Sequence, residues 1–83
     1  MGYHKTEITK GIYGHFSKIE EEFQELKDAL EQKDRILALV ELSDLIGAID
    51  GFLKHEFNNI VSLDDVVKFS KLTQNAFETG DRK

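Results

Sequence analysis

The 83-residue chain has no cysteine and no proline. The first absence excludes a disulfide framework and a thiolate metal site. No strand-like alternation of apolar and polar residues stands out either, which leaves helices as the building material. Positive charge is scarce: 11 Lys and Arg face 16 Asp and Glu, a net charge of −5. That balance argues against a duplex nucleic-acid binder, which needs a basic face. No apolar run is long enough to span a membrane, because Glu41, Asp44 and Asp50 interrupt the longest one. The N-terminus lacks the apolar core of a signal peptide. Met1-Gly2 with Thr6 formally fits a myristoylation pattern, but one too short to separate this chain from many unrelated ones. The expectation is a cytoplasmic protein with neither a membrane nor a nucleic acid as partner. Its length suits a single domain, residues 1–83. A lone core of that size is marginal, so association with further copies is expected.

Residues 1–13 are mixed and polar, with Tyr3, Gly11 and Tyr13, and read as a lead-in that packs on the core or on a partner. The first helix is predicted from about Gly14 to Gln32. Its apolar residues Phe16, Ile19, Phe23, Leu26 and Leu30 alternate by three and four, a narrow stripe of the coiled-coil kind. Gln32-Lys33-Asp34 is the break, with Asp34 placed to cap the next helix. The second helix, from about Arg35 to His55, is apolar around most of its circumference and reads as a central helix. Gly47 and Gly51 share a face with Val40 and Ser43, where another helix could approach closely. Asn58-Asn59 offers a left-handed exit. Ser62-Leu63-Asp64-Asp65 resembles a capping box with Asp in place of Glu, opening a third helix that runs to about Thr79 and stops at Gly80. Asp81-Arg82-Lys83 is a polar tail. The expected fold is all-α: a helical hairpin plus a third helix, completed into a bundle by oligomerisation.

The chemistry lies in the acids. Glu22 and Glu25 on the first helix, and Glu41 and Asp44 on the second, each have i, i+3 spacing, which puts both members of a pair on one helix face. Glu21 shares the arc of Glu22 and Glu25. A run such as Glu20-Glu21-Glu22 taken alone reads as a solvated face. Glu41 and Asp44 alone could equally be structural ion-pair partners. Nothing basic lies between Arg35 and Lys54, however, and acids on a buried helix are costly without a positive partner. Counted outward from Lys33, the two pairs fall roughly level in an antiparallel hairpin. Four carboxylates meeting at one height suit a hard divalent cation. His4, His15 and His55 add nothing to such a site, no Glu-x-x-His occurs, and there is no phosphate-cradling glycine loop.

Glu21-Glu22-x-x-Glu25, then 15 residues, then Glu41-x-x-Asp44 resembles the signature of the MazG-like all-α nucleotide pyrophosphohydrolases. Ser17-Lys18-Ile19 before it and Leu45-Ile46 after it also look like that family, and the likeness covers about residues 10–55. Relatives include dimeric dUTP pyrophosphatases and phosphoribosyl-ATP pyrophosphatase, which share these acids. The resemblance implies a Mg²⁺-dependent (or Mn²⁺-dependent) hydrolase that cleaves a nucleoside triphosphate to the monophosphate and pyrophosphate. It implies that Glu22, Glu25, Glu41 and Asp44 are metal ligands. Glu21 would be a further ligand or the group that orients the attacking water, and Lys18 would touch phosphate. The second helix, apolar on nearly all sides, would leave a large apolar patch on a monomer, so a homodimer or homotetramer is expected. No base-reading aromatic closely follows Asp44, so the preferred base is not legible. The alternative is a helical interaction or regulatory protein that keeps the bundle without catalysis.

Overall fold

The computed structural model describes residues 7–80. Among them every regular element is a helix: α1 (Phe16–Glu31), α2 (Arg35–Glu56) and α3 (Leu63–Thr79). The Met1-Gly2 motif, the first part of the lead-in and the 81–83 tail lie outside the described residues.

The helices end where their local chemistry ends them. Gly14 has a φ of 92°, in the left-handed region, so α1 starts at Phe16 rather than at Gly14 as expected. At its other end the Lys33 N–H donates to the Leu30 carbonyl at 3.0 Å and the Asp34 N–H to the Ala29 carbonyl at 3.1 Å. With Lys33 at a φ of 60°, this is a Schellman closure in which lysine stands where glycine is usual. Asp34 then caps α2, its carboxylate accepting from the Leu37 N–H at 2.9 Å. Asn58 and Asn59 both take left-handed backbone after α2. Ser62 and Asp65 form the reciprocal capping box of α3, with bonds of 3.0 and 3.1 Å, and Gly80 ends it at a φ of 84°.

α1 and α2 form an antiparallel hairpin. From the Lys33 turn the contacts run outward through Glu22 beside Glu41 and Asp44, then Phe16 edge-on to Phe52 at 6.2 Å, to His15 against His55 at 4.7 Å at the open end. The buried apolar residues are small, Ala29, Ala38 and Ala48, with Leu53 alone among the large ones. As many acids are buried with them: Glu21, Glu22, Asp28 and Glu41. The apolar stripe expected on α1 does not fill this seam. Phe16, Phe23 and Leu30 remain more than half exposed, as do Leu39 and Ile46 of α2. Among the described residues, burial comes from the hairpin seam and from the lead-in laid against α1 and α2, and acids and alanines take up much of it.

The glycines of α2 also differ from expectation. Gly51 is buried under the Tyr13 ring, which lies where its Cβ would be, so it serves the lead-in of its own chain. Gly47 is open. α3 touches α2 only lightly and has no buried residue. The radius of gyration is 14.6 Å, against roughly 12 Å for a compact domain of this length.

Lysine in left-handed backbone costs on the order of 1 kcal/mol relative to glycine. Lys33→Gly should therefore raise stability by up to about 1 kcal/mol, or several degrees in Tm for a chain of this size. Thermal melting followed by circular dichroism checks it. An unchanged or lower Tm would show that the Lys33 conformation carries no strain.

Candidate metal centre

The i, i+3 and i, i+4 geometry of α1 sets Lys18, Glu21, Glu22 and Glu25 on the face turned towards α2. From α2, Glu41 and Asp44 reach back. Carboxylate oxygens of Glu21, Glu22 and Glu25 lie within 4.8 Å of one another, and so do those of Glu22, Glu41 and Asp44. The structure thus brings together all five acids singled out in the sequence, with Glu22 common to both groups. Glu21, Glu22 and Glu41 are buried, Glu25 is half-buried, and Asp44 opens to solvent.

Lys18, the residue expected to touch a phosphate, lies between two of the acids. Its Nζ is 3.0 Å from Glu21 Oε1 and 3.1 Å from Glu22 Oε2. The lead-in adds a donor that the sequence did not reveal: the Gly11 N–H donates to Glu21 Oε1 at 2.8 Å. Lys10 Nζ stands 3.7 Å from Glu21 Oε2. The Ile12 N–H donates to Ser17 Oγ at 3.1 Å, so residues 10–12 lie against the start of α1. A Cβ at Gly11 would collide with the Ser17 carbonyl. Beside this segment a groove of about 570 Å³ runs along α1, with Lys10, Ser17, Glu20, Glu21, Gln24 and Lys27 among its lining residues. Asp28, also unremarked in the sequence, is buried and accepts from Gln32 Nε2 at 2.8 Å.

The carboxylates differ sharply in proton affinity. Burial raises Glu25, helped by its hydrogen bond to Glu21 and by the charges of Glu22 and Glu41, to about 7. Burial works the same way on Glu21, but is outweighed by the Gly11 N–H and by hydrogen bonds with Glu25 and Lys18, which bring it down to about 2. Burial also raises Glu22; Lys18 opposes the shift, and Glu21 and Asp44 add to it. Lys18 is raised, because its two carboxylate partners outweigh its desolvation. Of the Glu21–Glu25 pair, Glu25 is therefore the member that binds a proton more readily. A low proton affinity makes Glu21 a poor proton acceptor but a good fixed anion.

A hard cation fits this donor set. Every donor is a carboxylate oxygen, as Mg²⁺ or Mn²⁺ prefers. Octahedral Mg²⁺ holds its oxygens about 3–4 Å apart, so the present spacing needs only a small closure. Glu22, the residue common to both groups of acids, has its Oε1 buried with no hydrogen-bond partner, and such an orphaned atom is costly in the absence of a ligand. Binding a cation here would expel the proton held by Glu25.

The sign of the pH dependence follows. Glu25 holds its proton more tightly in the fold than its ordinary value of 4.5, so its stabilising contribution is full below about pH 4.5 and is lost as pH rises through about 7. Glu22 acts in the same direction. Glu21 acts oppositely, its contribution being lost only as pH falls from about 4.5 towards 2. In chelator, Tm should therefore be higher near about pH 5.5 than near about pH 8, and Glu25→Gln should shrink the difference. Melting curves at the two pH values check this; an undiminished difference in Glu25→Gln would assign it to other groups. No protein-family model, curated protein or solved structure matches the chain, and the site's chemistry therefore rests on its own residues.

Proposed function

We propose that this chain is a MazG-like nucleoside triphosphate pyrophosphohydrolase. It would use one water to cleave the anhydride between the α- and β-phosphates, giving the monophosphate and pyrophosphate. The observation that carries the reading is the meeting of Glu21, Glu22 and Glu25 of α1 with Glu41 and Asp44 of α2 around a buried, unsatisfied Glu22 oxygen. An interior lined with acids is a poor way to hold two helices together and a good way to hold a divalent ion. Glu22, Glu25, Glu41 and Asp44 would hold Mg²⁺ or Mn²⁺. Such an ion neutralises phosphate charge, polarises the phosphoryl group and lowers the pKa of a bound water. Glu21, kept ionised by Gly11 and Lys18, acts as a further ligand or orients the attacking water. Lys18, in contact with both, favours the charged forms of Glu21 and Glu22 side by side.

The functional form is a homodimer or a dimer of dimers. The chain exposes 6562 Å², against roughly 5,000 Å² for a compact monomer of 9.5 kDa. The surplus exceeds the roughly 800 Å² that each partner contributes to a standard interface. It includes Phe23, Leu30, Leu39 and Ile46, large apolar side chains that lose little by being covered. Light scattering at micromolar concentration should show a dimer or larger; a stable monomer sinks this part of the proposal.

The same apolar surface suits the second reading, a helical interaction or regulatory protein without catalysis. Activity separates the two. With Mg²⁺ and a panel of ribo- and deoxyribonucleoside triphosphates, the enzyme reading expects monophosphate and pyrophosphate, not diphosphate and orthophosphate. Glu22→Gln, Glu25→Gln, Glu41→Gln and Asp44→Asn should each lower kcat/KM by about tenfold to a hundredfold or more, because a displaced ion also misplaces the phosphate and the water. Glu56→Gln, at the far end of α2, should change little. Absence of Mg²⁺-dependent pyrophosphate release, together with no rise in Tm on adding Mg²⁺ or Mn²⁺, would favour the second reading.

A further inference from the structure

A triphosphate carries more negative charge than one divalent ion cancels, and the acids around the ion add to the excess. Binding therefore needs cations that can turn to the phosphates. Lys18 is the nearer lysine, but it is committed. It bridges Glu21 and Glu22, both buried, at 3.0 and 3.1 Å, with a side chain only 28% exposed. Turning it to a phosphate would strip two buried carboxylates of their counter-charge.

Lys10 is differently placed. Its side chain is 80% exposed, and its Nζ lies 3.7 Å from Glu21 Oε2, too far for a hydrogen bond. A solvated pair of that kind is worth little, so Lys10 gives up little on turning away. Its position is nonetheless defined. Gly11 and Ile12 donate backbone N–H bonds to Glu21 and Ser17, and the Gly11 Cα sits where no Cβ would fit against the Ser17 carbonyl. These contacts tie the backbone beside Lys10 to the first turn of α1, where Lys10 and Glu21 line one groove of about 570 Å³ whose other charged residues, Lys27 apart, are the acids Glu7, Glu20, Asp28 and Glu31, so that Lys10 is one of its two cations. Acid site and groove thus share one carboxylate, with Lys10 at their junction. The groove's volume suits a nucleotide-sized ligand.

On the reading of the acids as a metal site, we infer that Lys10 binds the triphosphate of the substrate and that Gly11 is the positioning residue holding it there. The Lys10 ammonium serves as a mobile point charge for a phosphate oxygen. Gly11 acts through backbone placement alone. Lys18 stays with the acids.

Calorimetric titration of the whole chain with Mn²⁺, and then with inorganic triphosphate at saturating Mn²⁺, tests the assignment. Wild type should bind both. Lys10→Ala should keep its Mn²⁺ affinity, or tighten it, and lose about tenfold in triphosphate affinity, the scale of one charge-assisted hydrogen bond. Lys10→Arg should restore most of that loss. Gly11→Ala, with unchanged helical circular dichroism, should weaken triphosphate binding more than Mn²⁺ binding. Lys10→Ala binding triphosphate as tightly as wild type overturns the inference while leaving the metal site standing. An equal loss of Mn²⁺ and triphosphate affinity in Lys10→Ala also overturns it, since Lys10 would then be supporting the acids. Wild type that binds no Mn²⁺ removes the metal reading itself, and this inference with it.

Discussion

Repulsion among carboxylates enclosed between two helices governs this molecule. Glu21, Glu22 and Glu41 are as well buried as the alanines beside them, and Glu25 and Asp44 crowd the same seam. Like charges at these separations cannot all remain ionised in a poorly solvated space. The protein reduces the charge in two ways. Lys18 takes a place between Glu21 and Glu22, and Glu25 keeps a proton into the neutral range. Of the two, the proton is the one a competing positive charge would displace, whereas Lys18 holds both carboxylates by direct contact.

That constraint also explains the distribution of apolar residues. A hairpin seam given over to acids needs small neighbours, and Ala29, Ala38 and Ala48 supply them. The large side chains are displaced to the outer faces of α1 and α2, where a single chain leaves them in water. The apolar surface is thus the geometric complement of the polar seam. Fold and site place opposite demands on the same two helices, and covering the outer faces with another copy would meet both.

Much of this was legible in the residues. The i, i+3 acid pairs and their equal distance from the Lys33 break were enough to place Glu22, Glu25, Glu41 and Asp44 together. The Asp34 cap, the Ser62–Asp65 box and the Gly80 stop are short-range side-chain chemistry, and the structure has each of them. What escaped depends on non-local backbone placement. The bond from Gly11 to Glu21 spans ten residues and uses a main-chain N–H, which every residue but proline possesses and no motif marks. The Lys33 closure was hidden because lysine seldom takes left-handed backbone. The Phe16–Leu30 stripe has core spacing, yet periodicity says only that a face is apolar, not whether its own chain covers it. The commitment of Lys18 to two acids was readable as i, i+3 and i, i+4 spacing, but those same intervals suit a lysine that turns outward.

α3 bears on how the chain acquires its structure. Its capping box and glycine stop are satisfied within its own residues, while no side chain on it is buried. Its order is therefore local, and its tie to the hairpin is weak. In native-state hydrogen exchange such an element opens at low free energy, as a unit separate from α1 and α2. The hairpin, closed by a three-residue turn between neighbouring helices, has low contact order and can form early and fast. α3, tied to the hairpin by few contacts, depends on it least.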